Sequence, residues 1–190
     1  MKKKTQLTKL AWMQAGFRAL TQEGLSGVKV EILARELKVS KGSFYWHFKN
    51  IDALKVTMLE HWQAAATQDI MQQVLNTDIE PQRQLENLLK LATDSADSSA
   101  YGGVGVEAAI REWARTSTQV QTLVIKVDVI RLDFVKRLLT ATGQSSSTAN
   151  RNSNLIYSAL IGLQYLGHQD SVKPQQDLLH LLSLVLASTS

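Results

Sequence analysis

The sequence predicts an all-α protein of about nine helices, and three observations carry that expectation. Two prolines and ten glycines in 190 residues leave few breaks, which suits long helices better than a sheet with many turns. Apolar residues recur at the spacing of a helix with one buried face, as Leu10, Met13, Phe17 and Leu20 do. An apolar content of 44% is that of a globular chain long enough to bury a core.

The first helix is expected from about Lys4 to Glu23, stopped by Gly24. A short second one covers about Val30 to Leu37, with Ile32, Leu33 and Leu37 inward. Val39-Ser40 makes a turn, and Ser40 caps a third helix from Lys41 to His47. Asn50 caps a fourth, from about Ile51 to Leu75. After Pro81, tolerated in a first helical turn because its missing N–H had no partner there, the fifth spans about Gln82 to Ser95. A loop rich in Ser, Asp and Gly over 97–103 leads to the sixth, about Val104 to Arg115, and the seventh covers about Ser117 to Thr142. A polar linker at 144–149 precedes the eighth, about Ala149 to Leu166, and the ninth covers about Pro174 to Ala187.

Several function classes fall away. Cysteine is absent, which excludes disulfides and thiolate metal sites and fits a reducing cytoplasm. Residues 1–9 are basic and polar, without the apolar stretch of a secretory signal. No uncharged apolar run reaches the ~18 residues a membrane span needs. His47, His61, His168 and His180 show no metal-ligand spacing. Gly103-Val104-Gly105 has the outline of a dinucleotide-binding turn, but that motif needs a preceding strand and a βαβ unit, and helices surround it here. No metal, cofactor or catalytic residue is expected, and the chain is not expected to be an enzyme.

Charge is unevenly spread. Residues 1–49 hold ten Lys and Arg against three acids, a local charge of +7, while the other 141 residues hold eleven against fourteen, a charge of −3. A basic head on an acidic body points to a polyanionic partner for the head.

Residues 30–48 read as two short helices joined by a tight turn, and a short second helix held across a first can enter a DNA major groove. Its exposed face is expected to offer Lys41, Ser43, Tyr45 and His47, groups able to bond phosphates or base edges. Gly42 permits close backbone approach, and Phe44 and Phe48 anchor the helix inward. This stretch resembles the tetracycline-repressor (TetR) family over about residues 8–60. The resemblance rests on Ala15-Gly16-Phe17, Glu23-Gly24, Val30, Leu33-Ala34-Arg35, Val39-Ser40-Lys41-Gly42-Ser43, Phe44-Tyr45-Trp46-His47-Phe48, Asp52 and Leu54.

The resemblance implies a DNA-binding domain over 1–50, with its helix-turn-helix at about 29–48, and a larger helical ligand-binding and dimerisation domain over 51–190. Ser43 and Tyr45 then stand at recognition positions, with His47 and Lys49 as backbone anchors, Lys29, Ser40, Lys41 and Gly42 beside them, and Trp46 packed. Two positions depart from the family pattern. Lys29 stands where a Thr usually caps the second helix, and Lys38 where the turn usually has Gly, so a left-handed backbone there costs more. The family implies a palindromic double-stranded operator, a homodimer and a small-molecule effector that releases a repressor from DNA.

The last two helices are apolar nearly all round, more than one buried stripe requires. With the resemblance they imply a dimer interface including Leu155, Ala159, Gly162, Leu163, Leu178, Leu182 and Val185. Trp62, Tyr101, Trp113, Phe134 and Tyr165 are candidates for an apolar effector cavity, with Tyr157, Gln164 and His168 as further ones. Asp128, Arg131 and Asp133 read as helix-surface ion pairs, of which one buried member could orient a ligand. Two alternatives stand beside this reading: a small-molecule carrier or enzyme that retains the fold, and a constitutive DNA binder without an effector.

Overall fold

The computed structural model describes residues 8–77, 79–93, 101–166 and 173–187. Among them are nine α-helices: α1 (Lys9–Glu23), α2 (Val30–Glu36), α3 (Ile51–Gln63), α4 (Asp69–Leu75), α5 (Pro81–Thr93), α6 (Val106–Ala114), α7 (Thr118–Ala141), α8 (Ser146–Leu166) and α9 (Pro174–Ala187). The expected count is reached by two compensating differences. Lys41–Trp46 is a 3-10 helix rather than an α-helix, and the expected fourth helix is interrupted by a π-turn at Ala64–Gln68, where the Asp69 N–H donates to the Ala64 carbonyl five residues back.

The described residues fall into two compact units, one within 1–61 and 95–113, the other within 62–94 and 114–190. In the first, Thr8 caps α1 by accepting from the Ala11 N–H at 3.2 Å, so the described helix begins at Lys9; the expected start near Lys4 lies outside the described residues. Gly16 lets α1 approach α3 closely, because a Cβ there would meet the Met58 sulfur at 2.7 Å. Tyr101 stacks on His61 with centroids 4.5 Å apart and meets Phe17 edge-on at 5.8 Å.

The second unit is built on α7 and α8, with α5 and α9 packed against them. Pro81 opens α5 as expected, and Ser117 caps α7 through the Val120 N–H. The expected polar linker at 144–149 is different. Ser145 accepts from the Thr148 N–H at 3.2 Å, and α8 begins at Ser146. Gln144 is buried, accepting from Asn152 at 3.0 Å and donating to the Val185 carbonyl at 3.3 Å, which ties the end of α9 to the α7–α8 turn.

The outward faces of α8 and α9 also differ from expectation. Leu178, Leu182 and Val185 lie at 0%, 2% and 6% exposure within their own chain's core, so they answer the core rather than a partner. The spacing of four and three puts all three on one stripe of α9, the side toward α5 and α8. Leu155 and Gly162 are exposed, and Ala159 and Leu163 half-buried. Tyr165, Leu166 and Leu184 are further large apolar residues left in solvent.

Candidate nucleic-acid interface

The turn of the helix-turn-helix closes on backbone alone. The Lys38 N–H donates to Arg35 O at 3.1 Å and the Val39 N–H to Ala34 O at 2.9 Å, the paired bonds of a Schellman motif, with Lys38 in the left-handed position. Its φ is +55°, a conformation that Gly adopts more cheaply. Lys29 stands at the N-cap of α2 and makes no side-chain cap, as its length and chemistry dictate. Ser40 makes none either; its carbonyl, not its hydroxyl, accepts from the Ser43 N–H at 3.0 Å. The sequence-based capping role of Ser40 is therefore corrected.

Phe44 locks the second helix to the unit. It is fully buried, meets Trp12 edge-on at 5.2 Å and stacks on Phe48 at 5.4 Å. A 3-10 helix turns about 120° per residue, so with Phe44 inward the two residues after it point outward. Tyr45 is 61% exposed and Trp46 86%. Trp46 is not packed, contrary to the reading from sequence, and the period from Phe44 was the signal that could have shown it. Ser43 and His47 are half-buried, and Lys49 is exposed. A Cβ at Gly42 would meet only the Ser40 hydroxyl at 3.8 Å, so the chain's own packing does not require glycine.

Not every cation here stands apart. Lys41 Nζ is 2.8 Å from Glu31 Oε1 in the first turn of α2. That lysine's hydrogen bond is the main reason the Glu31 carboxyl is held below the usual range. Arg18 likewise binds Glu36, at 2.6 Å, and joins α1 to α2.

The effector candidates divide between the two units. Tyr101 and Trp113 belong to the first unit; Tyr101 packs on Phe17 and His61 there, and Trp113 is buried in α6. In the second unit Phe134 is core and Tyr165 is 70% exposed. Trp62 lies under the Arg131 guanidinium at 5.3 Å. Arg131 is the centre of a cluster that sequence reading placed on the surface. Its Nε donates to Thr67 Oγ1 at 3.0 Å, Nη2 to the Ala66 carbonyl at 3.1 Å, and Nη1 to the Tyr157 hydroxyl at 3.3 Å, while that hydroxyl donates to Asp128 at 2.6 Å. Asp133 does pair on the surface, with Arg137 at 3.1 Å. Gln164 donates to the Ala92 carbonyl at 3.3 Å; His168 lies outside the described residues.

Two short helices joined by a tight turn, the later one with an outward aromatic and polar face, have the arrangement of a helix-turn-helix unit. Residues 13–56 match the model of the bacterial regulatory proteins, tetR family. The match covers the N-terminal segment, and the likeness to tetR-family regulators rests on those residues. Solved structures agree on the fold. A TetR-family transcriptional regulator from Streptomyces coelicolor is 18% identical with a TM-score of 0.78, covering 96% of this chain and 91% of its own. A transcriptional regulator from Rhodococcus sp. Rha1 is 18% identical with a TM-score of 0.73, covering 96% of each chain. A putative transcriptional regulator from Saccharomonospora viridis, solved in complex with choline, is 12% identical with a TM-score of 0.75, covering 93% and 94%. No curated protein matches the sequence. No helix among the described residues is long and apolar enough to cross a membrane.

Proposed function

We propose that this chain is a homodimeric, non-enzymatic repressor that binds a palindromic double-stranded operator in the cytoplasm and leaves it when a small molecule binds the body. The observation that carries the DNA reading is the exposure of Tyr45 and Trp46 on a helix anchored by Phe44. Two large aromatics in solvent are costly unless a partner covers them. Near them in sequence are Ser43, His47 and Lys49, with Ser40, Lys41 and Gly42 at the start of the helix, and Lys29 stands at the N-cap of α2. Tyr45 and Ser43 read base edges; Trp46 packs its indole on the sugar-phosphate chain or a thymine methyl; His47, Lys29 and Lys49 hold phosphates. The reader is the first fifty residues or so, and the rest is body.

Dimerisation rests on the outward apolar residues Leu155 and Leu184, with the small Ser158, Ala159 and Gly162 of α8 allowing close helix approach. Two copies would pair their readers with half-sites in successive major grooves. Effector binding is supported by the likeness of the fold to regulators of which one was solved with a small molecule. The Saccharomonospora regulator holds choline. Release needs only an effector that prefers the non-binding arrangement, and about 1.4 kcal/mol of preference weakens operator affinity tenfold.

Selection of bound sequences from random DNA with the purified protein tests the proposal. The expected product is one palindromic site with two like half-sites. Recovery of no enriched sequence would overturn operator binding. Leu155→Glu with Leu184→Glu, both exposed, should yield folded monomers in sedimentation, and an unchanged dimer would exclude this interface. Compounds that raise the melting temperature should weaken operator binding; stabilising compounds without that effect would point to a constitutive binder.

A further inference from the structure

We propose that Glu31 sets the selectivity of the reader by holding Lys41 in an ion pair that only a cytosine-bearing site exchanges. The proposal rests on the reading face assigned above. Lys41 opens the 3-10 helix and Glu31 lies in the first turn of α2, and their 2.8 Å contact places a carboxylate beside the cations meant for DNA. Both side chains are 60% exposed, so DNA can reach both. The neighbouring Lys29 adds to the low proton affinity of this carboxyl, which is ionised at neutral pH.

A lysine bonded to a carboxylate brings no net charge to a phosphate. Sequence-independent affinity comes from cations that displace counterions, each adding about 0.9 to the salt slope. On arbitrary DNA the reader keeps the pair closed and does without one cation, because opening it would leave a bare carboxylate facing a polyanion. Cytosine changes the balance. Its N4 amino group donates into the major groove and suits a carboxylate acceptor. When that amino group takes over Glu31, Lys41 Nζ is released to a phosphate oxygen, and one exchange gives both a base contact and a backbone contact. The pair thus lowers affinity for wrong sequences and adds it back at the right one.

The test uses the full-length protein with Glu31→Gln, Lys41→Gln and the double variant. Binding to random-sequence duplex is titrated over a range of salt, and preferred sites are selected from random DNA. Glu31→Gln should tighten random-sequence binding roughly five- to tenfold near 0.1 M salt and steepen the slope by about 0.9. The double variant should lose that gain. The selected site should exchange its cytosine for adenine, the partner of a glutamine amide. A gain that survives in the double variant, no gain at all, or an unchanged base preference would each overturn the inference. Tyr45→Ala separates this failure from that of the reading face. If it weakens operator binding while Glu31→Gln changes nothing, the face stands and the exchange falls; if it too changes nothing, the face itself is misassigned.

Discussion

In the first unit the groups that carry chemistry sit on a six-residue 3-10 helix, fixed from behind by Phe44 and turned to solvent at Tyr45 and Trp46. In the second they sit on three helices and turn inward, with Arg131 reaching Thr67, Ala66 and Tyr157 across 64, 65 and 26 residues of sequence. The first arrangement leaves polar groups to be satisfied by a partner, so losing one affects binding and little else. The second satisfies them within the chain, so losing one leaves others buried without a bond. On the proposed reading, the same residue types serve recognition in one unit and stability in the other.

The largest expected effect tests the inward side. Arg131→Ala should lower stability by about 2–4 kcal/mol, because it strands the Thr67 hydroxyl, takes a donor from the Ala66 carbonyl and uncovers the Trp62 face. Thermal or denaturant unfolding reads it. A loss under about 0.5 kcal/mol, the range of ordinary surface changes, would show that the cluster does not hold the body together.

On the outward side, Tyr45→Ala should weaken operator binding by about 1–3 kcal/mol if the ring contacts a base edge, with the melting temperature nearly unchanged. Lys49→Ala should weaken all sequences alike and lower the salt slope by about 1. Fluorescence anisotropy over a salt range separates the two. A Tyr45→Ala protein that melts early would place this ring with the inward group after all.

How much of this was legible follows the same division. The run from Val39 to Phe48 spells the reader locally, and residues a few places apart dictate its anchor and its outward face. Asn50 as a cap was legible for the same reason, and its side chain accepts from the Ala53 N–H at 2.9 Å. The π-turn was not. Ala64-Ala65-Ala66 favours an ordinary helix, and the side chain bonded there, Arg131, lies far along the chain. Nor does an apolar helix reveal which side serves its own core. Leu178, Leu182 and Val185 are no more apolar than Leu184, and only the packing of α9 against α5 and α8 distinguishes them.

A smaller effect lies in the turn between the two reader helices. Lys38→Gly should stabilise the protein by about 1 kcal/mol. A left-handed L-residue costs roughly 1–2 kcal/mol, and the added freedom of glycine in the unfolded chain returns part of it. Both backbone bonds of the turn remain possible, so operator affinity should change only if the lysine itself touches phosphate. No gain in a denaturant midpoint would mean that the left-handed turn is relaxed by contacts of the lysine side chain.

The smallest effect is silent at neutral pH and bears most directly on the inward arrangement. Burial pushes the Tyr157 phenol up to about 12 from an ordinary value of 10; Arg131 opposes the shift, and the hydrogen bond to Asp128 adds to it. A folded-state value above the unfolded one means that the fold favours the neutral phenol. Its contribution is therefore fully present below pH 10 and is lost as pH rises from 10 through about 12. The difference between the phenolate absorbance titrations of the wild type and Tyr157→Phe isolates this one group. It should ionise about two units late while the protein stays folded, and the stability of the wild type relative to Tyr157→Phe should fall across the same window. Ionisation at the ordinary value would mean that water reaches the hydroxyl. The Arg131 cluster would then be an open site like the reading face, not a closed one.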